Sequence, residues 1–205
     1  LNVAIPGGAA GHECIPVRSA GCYAPGGRFT LPSSVLMTAV TARAAGVSDV
    51  WVASPRPTQA TLAAASIAGA DGLIAIGGAQ AIGAMARGLL GLPHGGCDMI
   101  VGPGNRWVTA AKQLVSGQVG IDMLAGPSEL LILADHTADA DIIAADLLAQ
   151  AEHDDDAVPM LVTTEASLVD RVEWSLERQL RTLPTAATAR AAFRNGYVMV
   201  ASSIG

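Results

Sequence analysis

Aromatic residues are nearly absent, with three Trp, two Tyr and two Phe in 205 residues. A core without them relies on Ala, Val, Ile and Leu, which, with 23 Gly, suit short buried strands packed under helices. Cysteine is scarce too. Cys14, Cys22 and Cys97 stand far apart with no CxxC pair, so no disulfide framework is available and reduced thiols are expected. Charged residues make up only 15% of the chain and hydrophobic ones 51%, which excludes a disordered polymer. Basic residues number 12 against 18 acidic ones, a net charge of −6, and they form no cluster; nucleic acid is excluded as the main partner. Long apolar runs are missing as well. The longest uncharged apolar stretch, Gly72 to Ala86, falls short of the roughly 20 residues a spanning helix needs, and Gly77, Gly78 and Gln80 interrupt it. Neither a membrane partner nor a secretory signal is expected. Leu1 rather than Met opens the chain, so a natural start further upstream is expected.

What is present is an alternation of strand and helix signals. Ser33 to Ala45 lies between Pro32 and Gly46 and reads as a helix with both ends marked. Asp49 to Ala53, Gly72 to Ile76 and Asp98 to Val101 read as short buried strands. Thr58 to Ala68, Gly77 to about Leu90, and Asn105 to about Val115 read as the helices between and after them. Beyond an irregular stretch from Met123 to Glu129, strands are expected at Leu130 to Ala134, Val158 to Val162 and Tyr197 to Ala201. Helices are expected at Ala138 to His153, at Leu168 to Leu183, and from the break at Pro184 to about Phe193. Leu1 to Glu13 carries no pattern that can be placed. Such alternation implies parallel pairing through right-handed crossovers. The expected fold class is α/β, with Rossmann-like parallel sheets carrying helices on both faces and an incomplete second α/β domain. The divisions drawn are 1–22, an N-terminal segment; 23–128, a Rossmann-like domain; and 129–205, part of a second α/β domain.

Three Gly-rich turns fall where strands end: Ala24-Pro25-Gly26-Gly27, Gly77-Gly78-Ala79-Gln80 and Gly102-Pro103-Gly104-Asn105. In a parallel sheet these ends share one edge, where ligands bind. A helix amino terminus offers unpaired N–H groups to an anion, and glycine lets the backbone come close. Each turn read by itself is equally a tight connection. None is GxGxxG or a P-loop, so the residues alone support an α/β domain for an anionic ligand such as a dinucleotide.

Gln150 and His153, three apart on an expected helix, share a face and could ligate a metal, but two ligands do not close a site. The alternative is a helix-terminal His beside the acidic run Asp154-Asp155-Asp156. His12, His94 and His136 read as surface residues and Lys112 as a solvated one. No GxSxG elbow or Cys-His pair supplies a nucleophile.

Taken together, the motifs point to one family. Gly21-Cys22-Tyr23-Ala24-Pro25-Gly26-Gly27, Gly77-Gly78-Ala79-Gln80-Ala81, Gly102-Pro103-Gly104-Asn105, Ile121-Asp122-Met123-Leu124-Ala125-Gly126-Pro127-Ser128-Glu129 and Asp146-Leu147-Leu148-Ala149-Gln150-Ala151-Glu152-His153 resemble, in order, the signature blocks of histidinol dehydrogenases. The resemblance runs from about Pro16 to Leu183. It implies NAD-dependent oxidation of L-histidinol to L-histidine through an enzyme-held aldehyde, the last step of histidine biosynthesis. It further implies that Tyr23, Gln80 and Asn105 contact NAD, making 23–128 the NAD-binding domain. Ser128, Gln150 and His153 would contact the substrate, and Gln150 and His153 would ligate zinc. A homodimer in the cytoplasm is implied, or in a plastid if an upstream targeting segment was removed. The family's Glu-His acid/base pair has no match here, so no catalytic residue is assigned to this chain, and the fragment is expected to be inactive alone. The alternatives are a related zinc/NAD alcohol dehydrogenase acting on another polar alcohol, such as a sulfonated diol, and a non-catalytic nucleotide-binding remnant.

Overall fold

The segment without a readable pattern is a hairpin. Asn2–Ile5 (β1) and Gly8–Gly11 (β2) pair antiparallel around Pro6-Gly7, and every residue of both strands is exposed. A computed structural model describes residues 2–26, 30–89, 91–92, 95–124 and 128–203. Gly27, Leu90, His94 and Ala125, Gly126 and Pro127 of the expected motifs lie outside the described residues. The chain divides into two compact units, Leu1–Gly126 and Pro127–Gly205.

In the first unit, Ser19–Tyr23 (β3), Pro32–Ala44 (α1), Asp49–Ala53 (β4), Gln59–Ile67 (α2) and Gly72–Ile74 (β5) follow one another. Gly78–Arg87 (α3), Met99–Val101 (β6), Arg106–Val115 (α4) and Gly120–Ile121 (β7) complete it. The five strands are all parallel, in the order β5-β4-β3-β6-β7. β3 runs through the division drawn between Cys22 and Tyr23. Its start is set at Ser19, whose backbone N–H donates to Asp98 Oδ2 at 2.8 Å while its hydroxyl accepts from the Asp98 N–H at 2.9 Å. That N–H holds the Asp98 carboxyl below the usual carboxylate range.

Side chains alternate across the pleat. Ala20, Cys22, Val50 and Val52 pack with Val35 and Ala39 of α1 and Ala64 of α2. Tyr23, Ala53 and Ile100 pack on the other face with Ile82 and Met85 of α3 and Val108 of α4. The caps follow local chemistry. Thr58 forms a capping box with Thr61, and Asn105 and Asp139 accept the first N–H groups of their helices.

The second unit contains Glu129–Ala134 (β8), Ala140–Ala151 (α5), Val158–Thr163 (β9), Ala166–Leu180 (α6), Ala186–Ala192 (α7) and Tyr197–Val200 (β10). Its parallel sheet has the order β10-β9-β8. Ala134 and Leu161 face Ile143 and Leu147 of α5 and Leu168 and Val172 of α6. Among the described residues, helices cover both faces of the first sheet and one face of this one. Here α6 and α7 both pack against α5, and Leu131 and Leu133 of β8 are more than half exposed. Three helices end two or more residues earlier than expected, the first being α3, which stops at Arg87 where Gly88 takes the left-handed C-cap conformation. α5 stops at Ala151, with Glu152 as its C-cap. α6 stops at Leu180 rather than Leu183, because Pro184 disfavours helical backbone at Leu183 and its ring would meet the Leu180 carbonyl. No helix of the described residues is long and apolar enough to cross a membrane.

Candidate functional site

The strand order reverses at β3. The chain steps outward through β4 and β5, then returns to lay β6 and β7 on the other side of β3. Outside the carboxyl ends of β3 and β6, where that reversal leaves a crevice, doubly wound sheets take their ligands. Three of the loops on this edge are the Gly-rich turns after β3, β5 and β6.

Tyr23 ties these turns together. It is only 4% exposed, and its hydroxyl accepts the Gly78 N–H at 3.0 Å. Its own carbonyl oxygen lies 2.1 Å from where a Cβ on Gly102 would sit. Gly102 has φ +115, so no other residue fits there. Gln80, in the first turn of α3, is exposed and places its Oε1 2.9 Å from where a Cβ on Gly78 would sit. Tyr23, Gln80 and the turns carrying Gly78 and Gly102 therefore converge. Asn105 spends its Oδ1 on the N–H groups of Trp107 and Val108, at 3.1 and 3.2 Å, which leaves its NH2 to donate elsewhere.

Lys112 corrects the expectation of a solvated residue. It is 3% exposed, and its Nζ donates to the Gly102 carbonyl at 3.0 Å and to Asp122 Oδ1. Asp122 Oδ2 accepts the Gly102 N–H at 2.8 Å, and Oδ1 accepts the Met123 N–H at 2.7 Å. Gly102 is thus held at both its N–H and its carbonyl. Burial works against the Asp122 charge, but the Lys112 ammonium and the two N–H donors hold its carboxyl below the usual range. The available signal was spacing. Val108, Ala111 and Lys112 form the buried stripe of α4, and a lysine on such a stripe needs a partner. Burial raises the Cys22 and Cys97 thiols to about 11 and about 12, which leaves neither as a nucleophile.

In the second unit, Gln150 Nε2 donates to the Ser128 carbonyl at 3.3 Å, and that carbonyl also accepts the Val158 N–H at 3.2 Å. With its nitrogen so engaged, Gln150 keeps Oε1 for a cation. His153 lies past the end of α5 and is exposed, yet its N–H reaches the Gln150 carbonyl at 3.4 Å, so the two residues stay one turn apart. An amide oxygen and an imidazole are fitting zinc donors but supply two ligands only. Among the described residues, no group of three or more His, Cys, Asp or Glu could hold a metal ion. His12 and His136 are exposed, as expected, and Ser128 is exposed beside β8.

The profile of the family described as histidinol dehydrogenase matches residues 2–205. The chain belongs to the histidinol dehydrogenase family. It is 47% identical to histidinol dehydrogenase of Prochlorococcus marinus, over 100% of this chain and 47% of that protein. It is 50% identical to histidinol dehydrogenase of Thermus thermophilus, over 97% of this chain and 48% of that protein. The chain therefore spans about half the length of these relatives. The crystal structure of histidinol dehydrogenase from Elizabethkingia anophelis superposes with a TM-score of 0.85 at 40% identity, covering 92% of this chain and 45% of the other.

Proposed function

We propose that the protein represented by this chain is an NAD- and zinc-dependent histidinol dehydrogenase that oxidises L-histidinol to L-histidine through the aldehyde. The observation that carries this reading is the set of Gly-rich turns tied together by Tyr23 at the switch point of a sheet in a chain of this family. When bound, NAD accepts the hydride of each of the two oxidations and zinc orients the substrate's amine and imidazole.

The chain's own residues divide that work. Gly77 and Gly102 let the dinucleotide approach the sheet edge closely, and the Gln80 amide and Asn105 NH2 donate to it. The Tyr23 hydroxyl accepts the Gly78 N–H and keeps its own O–H to donate to the cofactor. Gln150 Oε1 and the His153 imidazole are two of the zinc donors, and Ser128, bonded to Gln150, meets the substrate. The NAD residues belong to the division 23–128 and the metal residues to 129–205. No residue of this chain is assigned to take the hydroxyl proton. The reading includes a homodimer working in the cytoplasm.

The test is calorimetric titration of the 205-residue chain with NAD, zinc and L-histidinol. The expected result is NAD binding weakened about tenfold by Asn105→Ala, and L-histidinol binding that needs both zinc and His153. NAD binding without zinc-dependent binding of L-histidinol would overturn the enzyme reading in favour of a nucleotide-binding module. Selective binding of a sulfonated diol would assign the site to another polar alcohol.

A further inference from the structure

Three exposed apolar side chains stand at the carboxyl edge of the first sheet, where β6 and β7 end. Trp107 is 63% exposed and sits in the first turn of α4, two residues past Asn105. Its backbone N–H donates to Asn105 Oδ1 at 3.1 Å. The Cα–Cβ bonds of a helix tilt toward its amino end, so a side chain in the first turn leans back over the Gly-rich turn that precedes it. Val108, the next residue, is buried against the sheet, which leaves Trp107 on the flank of the helix. Met123 and Leu124 follow β7 and are exposed as well. The Asp122 carboxylate accepts the N–H groups of both Gly102 and Met123, and so holds the loops after β6 and β7 side by side.

The indole is not loose. The Arg106 guanidinium lies over its ring, 5.4 Å from the centroid, a cation–π arrangement that restrains it. More than half of the Trp107 surface still faces water. A tryptophan carries the largest apolar area of any side chain and gains most when a flat aromatic group covers it. Ligand sites combine such apolar walls with a few polar groups that fix orientation. Here the polar group is Asn105. Its Oδ1 holds the Trp107 N–H, and its NH2 is left to a ligand.

We propose that Trp107 is a further cofactor-binding residue of the dinucleotide site, its indole stacking on a heteroaromatic ring of the nucleotide while Met123 and Leu124 supply the apolar rim. The inference rests on the nucleotide reading above and deepens it. Every such ring has a π-face, so stacking adds affinity without asking for a particular hydrogen-bond pattern. Asn105 couples the two kinds of contact, because one amide fixes the start of α4 under the indole and also donates to the dinucleotide.

The test follows Trp107 by itself. Trp51→Phe and Trp174→Phe leave it the only tryptophan of the three. Trp51→Phe breaks no hydrogen bond, because the Trp51 Nε1 is buried without a partner among the described residues. NAD, 5′-AMP and nicotinamide mononucleotide are titrated into this 205-residue chain. NAD is expected to quench the Trp107 emission along the same curve that calorimetry gives for binding. Quenching by AMP assigns adenine as the stacked ring, and quenching by the nicotinamide mononucleotide assigns nicotinamide. Trp107→Ala and Trp107→Leu should each weaken NAD about tenfold, Trp107→Phe by less than about threefold, and all three should keep the melting temperature. Trp174 is the control, since it is 67% exposed and also has an arginine over its ring, Arg178 at 5.3 Å. Its emission in the Trp51→Phe/Trp107→Phe chain should not respond. NAD binding that leaves the Trp107 emission unchanged, or an affinity unchanged in Trp107→Ala, overturns the proposal while the nucleotide site stands. Equal quenching of Trp174 also overturns it, as does Trp107→Leu binding NAD like the parent, because apolar volume without a π-face would then suffice. Absence of NAD binding to the unsubstituted chain overturns the nucleotide reading and this proposal together.

Discussion

Replacing Lys112 by Met tests whether charge holds the Gly102 turn. Breaking a fully buried ion pair by removing one partner costs about 3–5 kcal/mol. Lys112 is 3% exposed, but the Asp122 side chain keeps 30% of its surface, so water relieves part of that penalty. Methionine refills the aliphatic volume of the lysine stem. The expected loss is therefore about 2–3 kcal/mol. Urea unfolding followed by tryptophan fluorescence measures it. A Trp174→Phe background leaves Trp51 and Trp107 as reporters of the first unit. With Asp122→Asn, a double-mutant cycle should give a coupling of about 1–2 kcal/mol. The acid limb gives a second check. The folded carboxyl of Asp122 lies below its unfolded value, so its contribution is complete above the ordinary carboxylate range, about pH 4. It is lost as pH falls toward the depressed folded value, and Lys112→Met should flatten that dependence. A loss below about 0.5 kcal/mol, or an additive cycle, would refute the reasoning.

Gly102→Ala places a methyl 2.1 Å from the Tyr23 carbonyl at φ +115, and a loss of about 3 kcal/mol or more should appear as a lowered melting temperature. Tyr23→Phe leaves the Gly78 N–H without its acceptor, and calorimetry should show weaker NAD binding along with about 1–2 kcal/mol of lost stability. Ellman's reagent near pH 8 should titrate Cys14 rapidly and reach Cys22 and Cys97 only in denaturant, because those two are buried and their thiols sit at about 11 and about 12. Thr58→Ala removes the capping box of α2 and should cost about 1 kcal/mol in urea unfolding.

Local structure was readable wherever the signal lay among neighbours in the chain. The strand Asp49 to Ala53 has the bounds read from its apolar run between Gly46 and Pro55, and α2 begins after the threonine expected to open it. The Gly-rich turns fall at strand ends because glycine is needed wherever backbone meets backbone. The hairpin β1–β2 was illegible because its residues are exposed on both faces, so burial imposes no alternation on them. β7 is two residues long and is defined only by its pairing with Met99 and Ile100 of β6.

The sequence by itself determined the α/β class, the turns and the family blocks, because helix caps, apolar runs and glycines act over a few residues. Tertiary structure alone decided which polar atoms were already spent. The Tyr23 hydroxyl accepts from a glycine 55 positions away, Ser19 is held by an aspartate 79 away, and Lys112 is buried against Asp122. Such pairings depend on strand order, which brings distant segments to one sheet edge and leaves no trace in local composition.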